Sequence, residues 1–402
     1  MLPLFDGLVE VVVTVALGSG QCSSEHWEAL VGAGQNVTVV RSNGGAQAGH
    51  GVQLVSGARH VFHHVGAGHF AGAATHLSQF FVAHPMVLGA EIADIGKINR
   101  RAVRITIDPR AFVTTPWDMA VNQAVEIARG GGRHGSTGLG FGETLQRSEN
   151  GPVLRAGDLW SARLPECLHA IRQDWVPGRL EQLGVDIPPE LEQILNGSDD
   201  VVDRFIQDLA QFRQYVALRD DADLSGTVLF EGAQGLQLDQ SYGVFPHVTR
   251  SYTGLRNMRS IAAEAGIGEI NATYMTRAYA TRHGAGPLPH EAHLDWAKII
   301  DLTNAPNDWQ GHIRHAPLEV DMMASVIHKD IALSSGGGIC INAQLGVTCL
   351  DQVQRAAQIV SEGQKLYVEL RHLADQIAER ANLPLGLQSH GPTRATAAVS
   401  LG

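Results

Sequence analysis

From Val9 to Leu17 the chain is almost entirely apolar and rich in β-branched residues, which predicts a buried strand. Gly18-Ser19-Gly20 end the run, and Ser23 and Ser24 stand where they would cap a helix over 25–30. A strand, a glycine turn and a helix start together make a cradle for phosphate. Asn36 to Arg41 predicts a second strand, closed by Gly44-Gly45. His84 to Leu88 and Val103 to Ile107 predict further strands, with a helix over Asp118 to Ala128. Glu166 to Phe212 is polar and helix-rich. Gly226 to Phe230 reads as another strand, and Ile339 to Asn342 as a late one. Cys349 to Asn382 carries a long helical periodicity. Alternating strands and helices imply an α/β fold, with a large, mostly parallel central sheet flanked by helices. We read 1–402 as a single domain with a smaller helical subregion at about 155–220.

Composition sharpens this picture. The chain has 402 residues, and its 45 glycines exceed the usual share of about 7%. Such an excess without repeats points to tight turns and to backbone approaching a ligand. The net charge of -11 argues against broad binding to nucleic acid or anionic membranes. None of the 4 cysteines forms a CxxC pair, so neither a zinc knuckle nor a disulfide framework is expected, and a reducing cytoplasm fits best. The apolar run Val11 to Leu17 is too short to span a bilayer, and no basic segment precedes it. His60, His63, His64 and His69 lie close in sequence, yet no carboxylate or cysteine completes a convincing metal set. The segment 130–142, GGGRHGSTGLGFG, is either a linker or a ligand loop. The Ser136-Thr137 pair inside it favours the ligand loop.

Five polar or glycine-rich segments stand out: 20–25, 44–50, 136–140, 230–235 and 281–287. In this order they resemble the adenylosuccinate synthetase family over nearly the whole chain. FEGAQG at 230–235, Pro246 and Thr249 behind it, and ATRHGAGPLPHE at 280–291 carry the resemblance most strongly. GGAQAGH at 44–50, STGLG at 136–140 and SHGPTR at 389–394 extend it, with Arg41 where the family has an arginine. The resemblance implies a P-loop NTPase-like adenylosuccinate synthetase fold. It also implies a ligase joining the amino group of aspartate to C6 of a 6-oxopurine nucleotide such as IMP or dGMP. Such an enzyme first phosphorylates O6 from GTP or ATP with Mg2+, and it works as a cytoplasmic homodimer. It places His50 at the transferring phosphoryl group and the Gly49 carbonyl on Mg2+. Gln47, Ala48, Thr137, Gln234, Thr249, Gly311, His312 and Arg314 become substrate-binding, with the Arg314 guanidinium suited to an α-carboxylate. Ser23, Glu25, Gln344, Leu345, Gly346, Ser389, His390 and Gly391 fall on positions that bind the triphosphate.

Departures from the family pattern are concentrated in its first loop. Where the family reads GDEGKG, this chain reads Ser23-Ser24-Glu25-His26-Trp27-Glu28. Ser24 replaces the catalytic aspartate, and a serine hydroxyl at pH 7 is neither a base nor an adequate single Mg2+ ligand. Trp27 replaces the phosphate-binding lysine. The guanine-reading Lys-x-Asp is read at Gln344-Leu345-Gly346, without its carboxylate. Phage and archaeal 2-aminoadenylosuccinate synthetases are similar in placing serine at the position of Ser24, but they keep the lysine. Three readings follow: a ligase of this type, a catalytically impaired nucleotide-binding paralogue, or a ligase recruited to a different amine.

Overall fold

A computed structural model describes residues 9–14, 37–54, 56–196, 199–301, 311–392 and 396–399. Its centre is a ten-stranded sheet. In chain order the strands are β1 (Val9–Thr14), β2 (Val37–Arg41), β3 (Ala74–Leu77), β4 (Ile105–Ile107) and β5 (Val216–Leu218). They continue with β6 (Thr227–Glu231), β7 (Glu269–Arg277), β8 (Cys340–Thr348), β9 (Leu385–Ser389) and β10 (Ala397–Val399). Across the sheet the order is β10-β9-β8-β7-β1-β6-β2-β3-β4-β5. Every neighbouring pair is parallel except β9 and β10.

Side chains on a strand alternate between faces, and here each face meets its own core. Val39 and Leu229 join one buried cluster with Leu77, Ile107 and Phe205. Val40, Val228 and Phe230 join the other, with Tyr274, Leu345 and Ile377. The apolar runs of β2 and β6 are therefore strands buried on both sides. Helices cover them, among them Pro116–Arg129, which begins with a Thr115–Asp118 capping box and a proline in its first turn. The polar stretch after 155 folds as helices Leu164–Ala170, Val176–Leu183, Glu192–Leu195 and Asp199–Tyr215.

Three elements differ from the sequence reading. The expected strand over His84 to Leu88 is instead the start of helix Pro85–Ile98, because Pro85 pre-sets the helical φ and the extended chain ends at Val82–Ala83. The helical periodicity of Cys349 to Asn382 holds only for Leu370–Ala381. Before it lies an antiparallel hairpin, Ala356–Ser361 with Gln364–Glu369, turned by Glu362 (φ 51°) and Gly363 (φ 70°). The late strand expected at Ile339 to Asn342 runs on to Thr348.

Candidate functional site

In parallel α/β sheets, ligands gather beyond the carboxyl ends of the strands. β2 and β6 are neighbours, and their last residues, Arg41 and Glu231, pair in register. His50 opens the hairpin His50–Gln53 with Arg59–Phe62, which follows β2. Its Nδ1 lies 2.9 Å from Glu231 Oε1, while Arg41 Nη1 lies 3.5 Å from Glu231 Oε2. The Ala67 N–H donates to the same Oε2 at 3.3 Å. All three side chains are buried. Burial lowers the His50 pKa below its ordinary value, and the Arg41 charge pushes the same way against the pull of Glu231. Burial opposes ionisation of Glu231, but the charges of His50 and Arg41 outweigh it and hold that carboxyl low. At neutral pH the group is therefore a carboxylate between a guanidinium and a neutral imidazole. Nδ1 is the ring nitrogen that faces the carboxylate, which leaves Nε2 as the nitrogen away from it.

Arg41 is fully buried, yet none of its three guanidine nitrogens has a hydrogen-bond partner among the described residues. Its neighbourhood shares this state. Both amide atoms of Gln47 and the Oε1 of Gln234 are buried and unbonded among the described residues. Buried polar atoms are nearly always satisfied, so a cluster that is not marks where something else binds. The loops holding these groups are clasped by Asn43, which donates to Ala233 O at 2.8 Å and accepts from the Ala233 N–H at 2.9 Å. Gly45 has no room for a side chain: a Cβ there would lie 2.6 Å from Val82 O. The backbone of Ala46 and Ala48 is tied by His63, whose Nδ1 sits 2.8 and 3.1 Å from their carbonyl oxygens. Gly49 packs against Val61, where a Cβ would approach to 2.8 Å.

A second group forms around Arg282. The loop 133–140 is folded rather than a loose linker: Ser136 Oγ donates to Asn122 Oδ1, and the Gly140 N–H donates to the same oxygen. Gly135 (φ 86°) rests on Gly284 and Ala285, so the half-buried Thr137 lies on a loop seated against 284–285. Arg282 pairs in register with Arg314 across an antiparallel bridge. It donates to Ala285 O and His247 O, and burial together with Arg314 lowers its pKa to about 10. Arg314 donates to Gly284 O, Gly286 O and Glu291. These contacts make Arg314 a brace for the glycine loop. Gly311 accepts from His283, and Gly311 and His312 are exposed. The Thr249 N–H donates to Leu238 O.

The third group lies at the end of β8. Gln344, Leu345 and Gly346 are within that strand. Gln344 donates to Thr273 Oγ1, Leu345 is fully buried, and Gly346 pairs with Met275 and Leu387. The cavity, about 200 Å3, opens where β8 ends and is lined by Thr348, Cys349, Asp351, Ser389 and Gly391. Gln53 and Arg59 of the His50 hairpin line it too. Ser389 Oγ donates to Gly391 O, the His390 N–H donates to Thr396 O, and the His390 side chain is exposed. Burial raises the Asp351 carboxyl above its ordinary pKa. Sequence reasoning missed Asp351 because it ended the strand about six residues early, at Asn342. A Leu-Asp pair just after the true strand end was the available signal.

Ser23, Ser24 and Glu25, with Trp27, lie outside the described residues. Among the described residues no group of three His, Cys, Asp or Glu converges as a metal site. His64 is instead bonded to Glu91, and His63 to carbonyls. Glu231, the carboxylate beside His50, lies between the His50 and Arg41 nitrogens. No helix among the described residues is long and apolar enough to cross a membrane.

The chain is 28% identical over 359 residues to adenylosuccinate synthetase 1 of Burkholderia lata, covering 84% of this chain and 76% of that protein. The adenylosuccinate synthetase of Burkholderia mallei is 28% identical over 333 residues, covering 79% and 72%. Among solved structures, fully ligated adenylosuccinate synthetase from Plasmodium falciparum superimposes with a TM-score of 0.76 at 16% identity, over 98% of this chain and 100% of that one. The succinoaminodeoxyadenylate synthetase of cyanophage S-2L, bound to dGMP and dATP as an energy donor, gives 0.59 at 15% identity, over 98% and 95%. At those identities the structures share the fold. The family model for adenylosuccinate synthetase matches residues 31–320, and the chain belongs to the adenylosuccinate synthetase family.

Proposed function

We propose that the protein is a ligase that joins the amino group of aspartate to C6 of a 6-oxopurine nucleoside monophosphate, driven by a nucleoside triphosphate. The observation that carries this reading is the buried Arg41–Glu231–His50 group beside the unsatisfied amides of Gln47 and Gln234. A ring carbonyl oxygen is a poor leaving group, and phosphorylation makes it a good one. For O6 to attack the γ-phosphorus, the N1 proton must leave. With serine at 24, we assign that proton to His50 Nε2, because Nδ1 faces Glu231. The N1–H bond breaks, an Nε2–H bond forms, O6 bonds to phosphorus and the nucleoside diphosphate departs. The resulting imidazolium is stabilised by Glu231 and sits beside the transferring oxygens. The free amine of aspartate then bonds to C6, the C6–O6 bond breaks, and inorganic phosphate leaves carrying the proton that the nitrogen sheds.

Gln47, Ala48, Gly49, Thr137, Gln234 and Thr249 hold the monophosphate in this reading, and Gly311, His312 and Arg314 the aspartate. The triphosphate base enters the cavity at Ser389, His390 and Gly391. There Asp351 supplies the carboxylate that 344–346 lack: a carboxylate accepts from the N1–H and N2–H2 edge of guanine and has no such pair on adenine. That favours GTP. In this reading Ser23 and Glu25 belong to the triphosphate-binding set, and the Gly49 carbonyl would hold the Mg2+ that offsets the phosphate charge. Action as a single-domain cytoplasmic homodimer completes the proposal.

The experiment is a mass-spectrometric assay with aspartate and Mg2+, crossing IMP, GMP and dGMP with GTP and ATP. A succinyl-purine nucleotide is expected from at least one pairing, and none from His50→Ala. Nucleotide-dependent thermal stabilisation with no product in any pairing would instead mean a binding paralogue.

A further inference from the structure

A second cavity lies at the opposite ends of the strands from His50. It encloses about 330 Å3, within the range of small-molecule sites. Its walls come from the starts of β3, β4 and β5, as the consecutive pairs Ala74 with Thr75, Ile105 with Thr106 and Val216 with Ala217. Neighbouring residues on a strand face opposite ways, so a cavity touching both members of each pair straddles the strand ends instead of resting on one face. Arg104, Arg213 and Arg219 complete it.

Each of these arginines is held by one backbone carbonyl. Arg104 Nη2 donates to Gly72 O at 2.8 Å, Arg213 Nη1 to Leu159 O at 3.0 Å, and Arg219 Nη2 to Asp223 O. A carbonyl steers a guanidinium without neutralising it and leaves its other N–H donors available. Among the described residues none of the three makes an ion pair, and no carboxylate lines the cavity. In a chain of net charge -11, three uncompensated guanidinium forks around one hollow are a local reversal of sign. Because each fork is already oriented, little further side-chain entropy is lost when an anion arrives. Planar forks match phosphate oxygens two at a time.

We propose that this cavity binds a small molecule bearing a di- or triphosphate group, gripped by Arg104, Arg213 and Arg219. It is separate from the purine pocket. Thr38 of β2 lines the cavity, while Arg41 at the far end of the same strand belongs to the His50 group.

The test is calorimetric titration of the full chain with inorganic tripolyphosphate. The wild type is compared with Arg213→Gln/Arg219→Gln, with Arg104→Gln alone and with His50→Ala, at low and at physiological ionic strength. Arg104 is exposed, so its variant is expected to fold whatever the double variant does. The expected result is a binding event that persists in His50→Ala and weakens at least ~10-fold in both arginine variants, since each charge-assisted bond is worth about a factor of ten or more. Three outcomes overturn the proposal: no event in the wild type at millimolar ligand, equal affinity in the arginine variants, or an event lost in His50→Ala alone. Failure here leaves the ligase reading untouched, because that assay reads product.

Discussion

Two arginines in this protein are equally buried and differently used. Arg147 and Arg41 both have no exposed surface. Arg147 makes four hydrogen bonds: two to Asp118, one to Val113 O and one to Pro152 O. Arg41 makes none among the described residues and meets Glu231 only at 3.5 Å. The first is a closed structural unit, tying helix Pro116–Arg129 to helix Phe141–Asn150. The second stands at the carboxyl end of the sheet beside further unbonded polar atoms. Burial alone does not separate scaffold from site; the count of satisfied donors does.

The comparison breaks most directly on stability. Arg147→Met leaves Asp118 buried without its partner and is expected to cost about 3–5 kcal/mol in urea unfolding. Arg41→Met also takes a cation from a buried carboxylate, Glu231, but breaks no hydrogen bond, so its loss of unfolding free energy should be the smaller of the two while ligation falls. Equal losses in the two variants would erase the distinction. Next in size is the chemistry: His50→Ala should lower kcat by about 10²–10⁴-fold, the usual worth of a general base. Glu231→Gln should weaken the acid form of His50 and move the acid limb of the pH–rate profile, an effect that a merely structural residue would not have.

Acid titration sharpens the contrast from another side. Burial lowers the pKa of His69 to about 4 and of His84 to about 3, so both are neutral when folded. Each favours the folded state above its unfolded value of about 6.5 and loses that contribution as pH falls toward 4 and 3. Glu91, held to about 2 against its burial by His64, loses its contribution as the pH falls through the ordinary carboxylate value toward 2. The unfolding free energy should therefore decline from pH 6.5 downward, and His84→Gln should flatten the slope. An unchanged slope in that variant would contradict the burial argument. The smallest expected effect concerns the base pocket. Asp351→Asn should narrow any GTP-over-ATP preference by about tenfold, the scale of one charge-assisted bond, while Gln344→Ala changes it little.

What the sequence made legible was local. The β-branched runs became β1, β2 and β6, and the glycine loops at 44–50, 136–140 and 230–235 carried recognisable residue patterns. The contact between His50 and Glu231 joins positions 181 apart in number, and no periodicity encodes it. Helical spacing at 349–382 misled because a short hairpin with one buried face also repeats apolar residues every few positions. The end of β8 was misplaced because the strand expected at Ile339 to Asn342 covers only its more exposed start, while the buried half runs on to Thr348. Asp351 was lost with it.

The sheet order has a further consequence, for the birth of the molecule on the ribosome. β1 is the earliest strand to emerge among those described, yet both of its neighbours, β6 and β7, come more than two hundred residues later. Until residue 227 has been synthesised, β1 has no partner to zip against, and β2 presents a bare edge where β6 will dock. The nascent chain must carry an unclosed seam through half of its translation, so interruption or slow decoding in that interval exposes adhesive strand edges to other chains.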